Sequence, residues 1–263
     1  MSKTIVDNRA RWQTESLRLT AFPVGGTARP DESWWQAVTG QPPETKAVQP
    51  NMLSESAPIR DGRYRLVLNC IPGRIDWVLT GNNPPNVDGA AGGAFPLAGP
   101  LEEALDSFQG LIESWLPRCP DVQRLALGVV VLHPVTTVKE GYHLLQNYLP
   151  ELKLDADGSS EFSYSINRPR PSSVSTDGLQ VNRLSRWAVV EMKHMRLVIP
   201  ALGVWAPPVQ QIDLGGGLTA ARLELDLSTS ADYTKALPRE KLPGLWRELV
   251  RFSVELTEKG DVR

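Results

Sequence analysis

The stretch EFSYSINRPRPSSVSTDGLQVNRLSRWAVVEMKHMR, residues 161–196, constrains the fold of this chain more than any other. Phe162, Tyr164 and Ile166 alternate with Ser163, Ser165 and Asn167, the period of a strand with one face buried and one wet. A break rich in Pro, Ser and Gly runs from Pro169 to Gly178, and a second apolar-rich run extends from Leu179 to Met195. The pattern predicts a long antiparallel hairpin near the middle of a sheet. The same stretch carries Arg168, Arg170, Arg183, Arg186, Lys193 and Arg196 against Asp177 and Glu191, in a chain whose formal net charge is −2. Arginine forks grip phosphate or carboxylate through paired hydrogen bonds. The hairpin 168–196 is therefore a candidate surface for nucleic acid, a nucleotide or an acidic partner, with Arg168, Arg170, Arg183 and Arg186 as its binding residues. Strand alternation puts Arg183 and Arg186 on opposite faces, which concentrates usable charge at the tip around Arg168 and Arg170, both expected to reach solvent. The competing reading is a solvated strand face with scattered ion pairs.

The rest of the chain reads in order around this hairpin. Residues 1–16 read as an arm and 17–24 as a strand ended by Gly25 and Gly26. Pro30, Asp31 and Glu32 open a short helix carrying Trp34 and Trp35. Neighbours on a helix point about 100° apart, so one of the two rings is expected at the surface. An exposed tryptophan is a frequent contact hot spot. Residues 41–62 read as a long polar loop. Residues 63–80 read as a hairpin turning at Pro72 and Gly73, and 81–100 as a glycine-rich loop that is either an insertion or a binding loop. Leu101, Ala104, Leu105, Phe108, Leu111, Ile112 and Trp115 follow a 3.6-residue period behind Pro100. Residues 125–132 form a nearly continuous apolar run, a central strand, and Thr137 with Glu140 make a capping box for the next helix. After the hairpin come a loop at 200–217, a strand at 221–227 and a C-terminal amphipathic helix from Leu242 to Leu256.

These elements define an α+β protein, a twisted mixed or antiparallel sheet with helices packed on one side. The order β-α-β-β-α followed by β-α-β-β-β-α echoes itself, which allows an internal duplication with a boundary near residue 121. The chain then divides into an N-terminal half, 1–120, and a C-terminal half, 121–263, or forms one continuous domain. Under duplication the strand at 125–132 corresponds to 17–24, and the hairpin at 161–196 to that at 63–80.

Composition and motifs narrow the function classes. The chain is 41% hydrophobic and 22% charged, enough for a real core, and no run approaches the roughly 18 apolar residues of a membrane helix. Two cysteines, Cys70 and Cys119, make neither a disulfide framework nor a metal motif, which suits a reducing cytoplasm. The opening MSKTIVDNRARWQ lacks the apolar core of a secretory signal. His133, His143 and His194 have no metal spacing, and Gly215 to Gly217 precede a strand rather than a helix, so no cofactor is implied. A metal-dependent nuclease reading places Asp177 upstream of Glu191 and Lys193, an acid followed by a strand ending Glu-x-Lys. The same triplet recurs at Glu44–Lys46 and Glu151–Lys153, which marks it as background. Glu224 and Asp226 share one strand face and read as a solvated pair.

Four further stretches, FSYSINRPRPS, GLQVNRLSRWAV, ARLELDLST and LWRELVRFSVELTEKG, together with RLALGVVVLHPV, resemble a sporadically distributed family of bacterial conserved-hypothetical proteins. The similarity spans roughly residues 60–260 and departs at the N-terminus and in the loop 81–100. The family has no established enzyme activity, so the resemblance brings no catalytic residues. Its patchy distribution resembles that of mobile elements and anti-phage defence loci. The resemblance implies a non-enzymatic interaction subunit of a bacterial complex, with a protein partner, or nucleic acid as the alternative, and no membrane. Trp34, Trp35 and the four arginines are the candidate contact residues.

Overall fold

A computed structural model describes residues 12–26, 31, 33–82, 97–175, 177–192, 195–198, 210–213 and 217–262. Most of the expected arm, most of the glycine-rich loop, much of the loop 200–217, and Lys193 and His194 lie outside them.

One antiparallel sheet runs through the protein. Its strands are β1 (Gln13–Pro23), β2 (Thr45–Gln49), β3 (Met52–Ile59), β4 (Tyr64–Ile71), β5 (Arg74–Gly81), β6 (Val122–Val135), β7 (Ser163–Asn167), β8 (Arg170–Pro171), β9 (Gln180–Met192) and β12 (Leu218–Thr229). They lie in the order β2-β3-β4-β5-β1-β6-β12-β9-β7, with β8 beside β9. A separate ribbon pairs β10 (Met195–Val198) with β11 (Gln210–Asp213). Four helices, α1 (Ser33–Thr39), α2 (Leu101–Trp115), α3 (Val138–Gln146) and α4 (Leu242–Lys259), cover one face.

The halves meet at the pair β1–β6, where Leu19 stands opposite Leu127. Moving outward, β1 is followed by β5, β4 and β3, and β6 by β12, β9 and β7. In each half the chain lays the central strand, crosses by a helix to the far edge, returns inward strand by strand and closes with a long helix. Both halves contribute to one apolar core. The equivalence differs from expectation by one strand. The hairpin β7–β9 corresponds to β3–β4, while 63–80 corresponds to β9–β12. The hairpin 161–196 also lies at the sheet edge, not its middle. β9 is long because it is flanked on both sides, whereas five-residue β7 is the last strand.

Two segments read as irregular are strands. β1 begins at Gln13, which draws buried Trp12 into the core. The expected loop 41–62 contains β2 and β3. β3 points Leu53, Glu55, Ala57 and Ile59 inward, and Glu55 is only 1% exposed, its carboxylate 3.3 Å from Lys46 Nζ. A carboxylate inside the apolar alternation, and a β2 exposed along its whole length, hid both strands from pattern reading.

The helices approach closely where the sequence permits. A Cβ at Gly141 of α3 would stand 2.8 Å from Val189 Cγ2 of β9, so only glycine lets that helix sit down on the sheet. Thr137 caps α3 by accepting from Glu140 N at 3.1 Å. The Glu140 carboxylate in turn accepts from Thr136 N at 2.7 Å, one residue earlier than a capping box requires, and these backbone donors hold its pKa below the ordinary range. Among the described residues no helix is long and apolar enough to cross a membrane.

Candidate interaction surface

The tryptophan helix is not a surface. Trp34 is 4% exposed and Trp35 0%. The rings do diverge as helix geometry demands, but α1 is wedged between α2 and the sheet. Trp34 meets Trp115 of α2 edge-on at 5.7 Å, and Trp35 stacks on Trp77 of β5 at 6.0 Å. Two walls at an angle cover two diverging side chains, which removes Trp34 and Trp35 as contact residues.

Three arginines of the cationic hairpin are matched by the C-terminal helix and the residues just beyond it. Arg168 forks onto Asp261, with Nη2 donating to Oδ2 at 2.7 Å, and Tyr164 OH donates to the same oxygen at 3.1 Å. Arg170 Nη1 donates to Glu255 Oε2 at 3.0 Å. Arg183 is 1% exposed, with Nη2 3.5 Å from Glu255 and its guanidinium 5.2 Å from the centre of the Phe252 ring. Arg170 and Arg251 approach the same ring at 5.9 and 5.0 Å, so three cations share one aromatic face and edge. The break between the strands is clamped as well. Ser172 Oγ and Ser173 Oγ each donate to the Glu248 carboxylate at 2.6 Å, joined by Ser173 N at 2.8 Å.

Electrostatics follow from this packing. The Arg168 fork holds the Asp261 carboxyl below the ordinary aspartate range, and the same bond raises Arg168. Burial, then the neighbouring Arg170 charge, lowers Arg183. The expected solvent-facing tip is therefore a latch between sheet edge and α4, with the Arg168 and Arg170 side chains only 21% and 28% exposed. Glu248, Phe252 and Glu255 recur at helical spacing on one stripe of α4. That acidic interruption of an apolar stripe was the sequence signal for the latch. Arg186 does face the other way, as alternation requires, and pairs with Glu224 at 2.9 Å.

Of the nuclease residues, Asp177 and Glu191 do not converge, and Lys193 lies outside the described residues. Asp177 precedes β9 and Glu191 lies near its far end, separated by roughly 35 Å of strand at about 3.3 Å per residue. Asp177 instead lies 4.0 Å from Lys241 Nζ.

Among the described residues, the fold presents the sheet face opposite the helices, apart from a small apolar cluster around buried Leu132 and Ala220. Cross-strand register sets its side chains in rows. One row reads Val78, Arg18, Gly128, Asp226 and Leu184. The next reads Thr80, Ser16, Val130, Glu224, Arg186 and Ser165. An ion ladder crosses this face: Glu15 to Arg222 at 3.5 Å, Arg222 to Glu224 at 2.9 Å, and on to Arg186. Arg74 Nε lies 2.6 Å from Asp76 Oδ2, and Arg124 Nη2 donates to Ser228 Oγ at 2.9 Å.

Arg18 stands apart in the middle of the face. It is exposed and has no hydrogen bond or ion pair among the described residues. Its guanidinium lies over Gly128, where a Cβ would be 3.5 Å from Nε and Nη2. Glycine on the neighbouring strand thus lets Arg18 lie flat across the sheet with its donors uncommitted. Pattern reading passed over Arg18 because a lone polar residue on the wet side of a strand carries no motif. No protein-family model, no curated protein and no solved structure matches this chain.

Proposed function

We propose that the protein is a non-enzymatic interaction subunit of a bacterial protein complex and that it holds a protein partner against the open sheet face. The observation that carries this reading is Arg18, exposed, lying over Gly128 and unpaired in the centre of the face. Arginine is enriched at protein interfaces, where its planar fork accepts little loss of freedom on binding. Val78 and Val130 on the two neighbouring strands supply apolar contact, and the ion ladder fixes the surrounding side chains. The partner is expected to offer a carboxylate or carbonyl acceptors at this point. The family resemblance supports a place among products of mobile or defence loci. Free, buried Cys70 and Cys119, with thiols pushed up to about 12 by burial, suit a cytoplasmic setting. Arg168, Arg170 and Arg183, already matched by Glu255 and Asp261, lend nucleic-acid binding no support.

The test compares native complexes of the wild type with those of Arg18→Glu, and with Lys153→Glu as an equal charge change away from the face. The wild type and the Lys153 variant should elute as one assembly heavier than the chain alone. Arg18→Glu should elute without its partner and keep its melting temperature. An assembly that survives Arg18→Glu would place the contact elsewhere.

A further inference from the structure

A second feature lies on the opposite side of the sheet. α2 and α4 close the two halves and run beside one another, and between them is a cleft of about 170 Å³. Trp12 forms part of its lining, with Leu101 and Leu105 from α2 and Val250 and Val254 from α4. The Trp12 indole N–H already donates to Tyr148 OH at 3.2 Å, so this wall offers no free donor.

Among the described residues the charged side chains of the cleft are all acidic: Glu102, Asp106 and Glu258 line it, with no described lysine, arginine or histidine. Glu102 and Asp106 are four apart on α2, both exposed, and neither has a hydrogen bond or ion pair among the described residues. Like charges at that spacing disfavour the helix that carries them, a cost that a bound cation relieves. An anionic ligand is repelled from such a rim, and a purely apolar one leaves Glu102 and Asp106 unanswered. The volume is close to that of apolar protein cavities of about 150 Å³ that accept a benzene-sized group. It therefore has room for one apolar side chain.

We infer that the α2–α4 cleft is a docking site for a basic amphipathic segment of a partner protein, which inserts one apolar side chain between the helices and sets a flanking lysine or arginine against Glu102 and Asp106. An interhelical groove receiving an anchor residue is a recurrent mode of peptide recognition. The site lies on the helical face and is independent of the contact at Arg18.

The test uses the full chain and two synthetic helical peptides of leucine with lysine and of leucine with glutamate, followed by calorimetry. The lysine peptide should bind saturably, more weakly as salt rises, while the glutamate peptide should not bind. The double variant Glu102→Gln, Asp106→Asn changes only exposed groups and should weaken binding at least fivefold without altering the melt. Val254→Phe should block the apolar part of the cleft independently. Equal binding of both peptides, or binding untouched by both variants, would overturn the assignment. Binding that emerges only when residues 1–11 are removed would also overturn it, by giving the cleft to the chain's own Lys3, Arg9 and Arg11 segment.

Discussion

β4 and β9 occupy the same place in the two halves, third from the centre, and both point a row of side chains at the helices. β4 offers Tyr64, Leu66, Leu68 and Cys70, all buried. β9 offers Val181, Arg183, Ser185 and Trp187. Around β4 the N-terminal half is sealed by aromatic packing, with Trp77 touching both Trp35 and Trp115 at 6.0 Å. Around β9 the C-terminal half is sealed by charge, with Arg168, Arg170 and Arg183 facing Glu255 and Asp261. One topology thus tolerates two kinds of closure. Apolar packing is non-directional and indifferent to pH, so it stabilises without specifying partners. Buried charge is directional, so it fixes which helix lies on which strand, and it depends on every member being present.

The largest expected effect comes from emptying the aromatic seal. Trp77→Ala should cost about 3–5 kcal/mol, the usual range for deleting a buried aromatic ring. Chemical denaturation measures it, and a loss under about 1 kcal/mol would mean that the ring cluster does not carry the N-terminal half.

The second effect distinguishes the halves. Glu255→Ala strands Arg183 as a buried charge without its carboxylate and should cost about 3 kcal/mol. Arg183→Met removes that charge and keeps the packing volume, converting the C-terminal half toward the apolar solution, and should change stability by no more than about 1 kcal/mol. Equal costs for the two variants would break the contrast, because they would make Arg183 an asset in its own right rather than a dependent of Glu255.

The third effect is smaller and depends on pH. The folded pKa of Asp261 lies below its ordinary value of 3.8, because Arg168 and Tyr164 favour the ionised form. Its contribution is therefore complete above that ordinary value and is lost as pH falls through the folded pKa. Amide exchange in the last turns of α4 should accelerate as pH drops below the ordinary aspartate range, relative to the intrinsic rate, while β4 and β5 keep their protection. Asp261→Asn should abolish the difference between the halves. Simultaneous loss in both halves would show that they open as one unit.

Several parts of this architecture were legible from local pattern alone. The hairpin β4–β5, the central strand β6, strand β12 and the apolar stripes of α2 and α4 follow from periods of two and 3.6 residues, set by backbone geometry and readable within a short window. The repeated order of elements was visible only in outline, with β2 and β3 missing and the hairpins matched one strand out of step. Neither β2 nor β3 was visible, because Glu55 occupies a core position, where Lys46 on the adjacent strand pairs with it.

Exposure was decided elsewhere. Arg168 and Arg170 have the appearance of a free cationic tip until Asp261 and Glu255, 93 and 85 residues further along the chain, close over them. Trp34 and Trp35 diverge as a helix requires, yet α2 and β5 bury both. Arg18 was unremarkable in sequence and became an open cation on the sheet face because the residue opposite it on β6 is Gly128. The sequence by itself determined which faces of which elements are apolar, since that depends on neighbours along the chain. Only the tertiary structure decided which charges are neutralised and which remain available, since a charge is satisfied by whatever lies within a few ångströms, and distance in space is not recorded in distance along the chain.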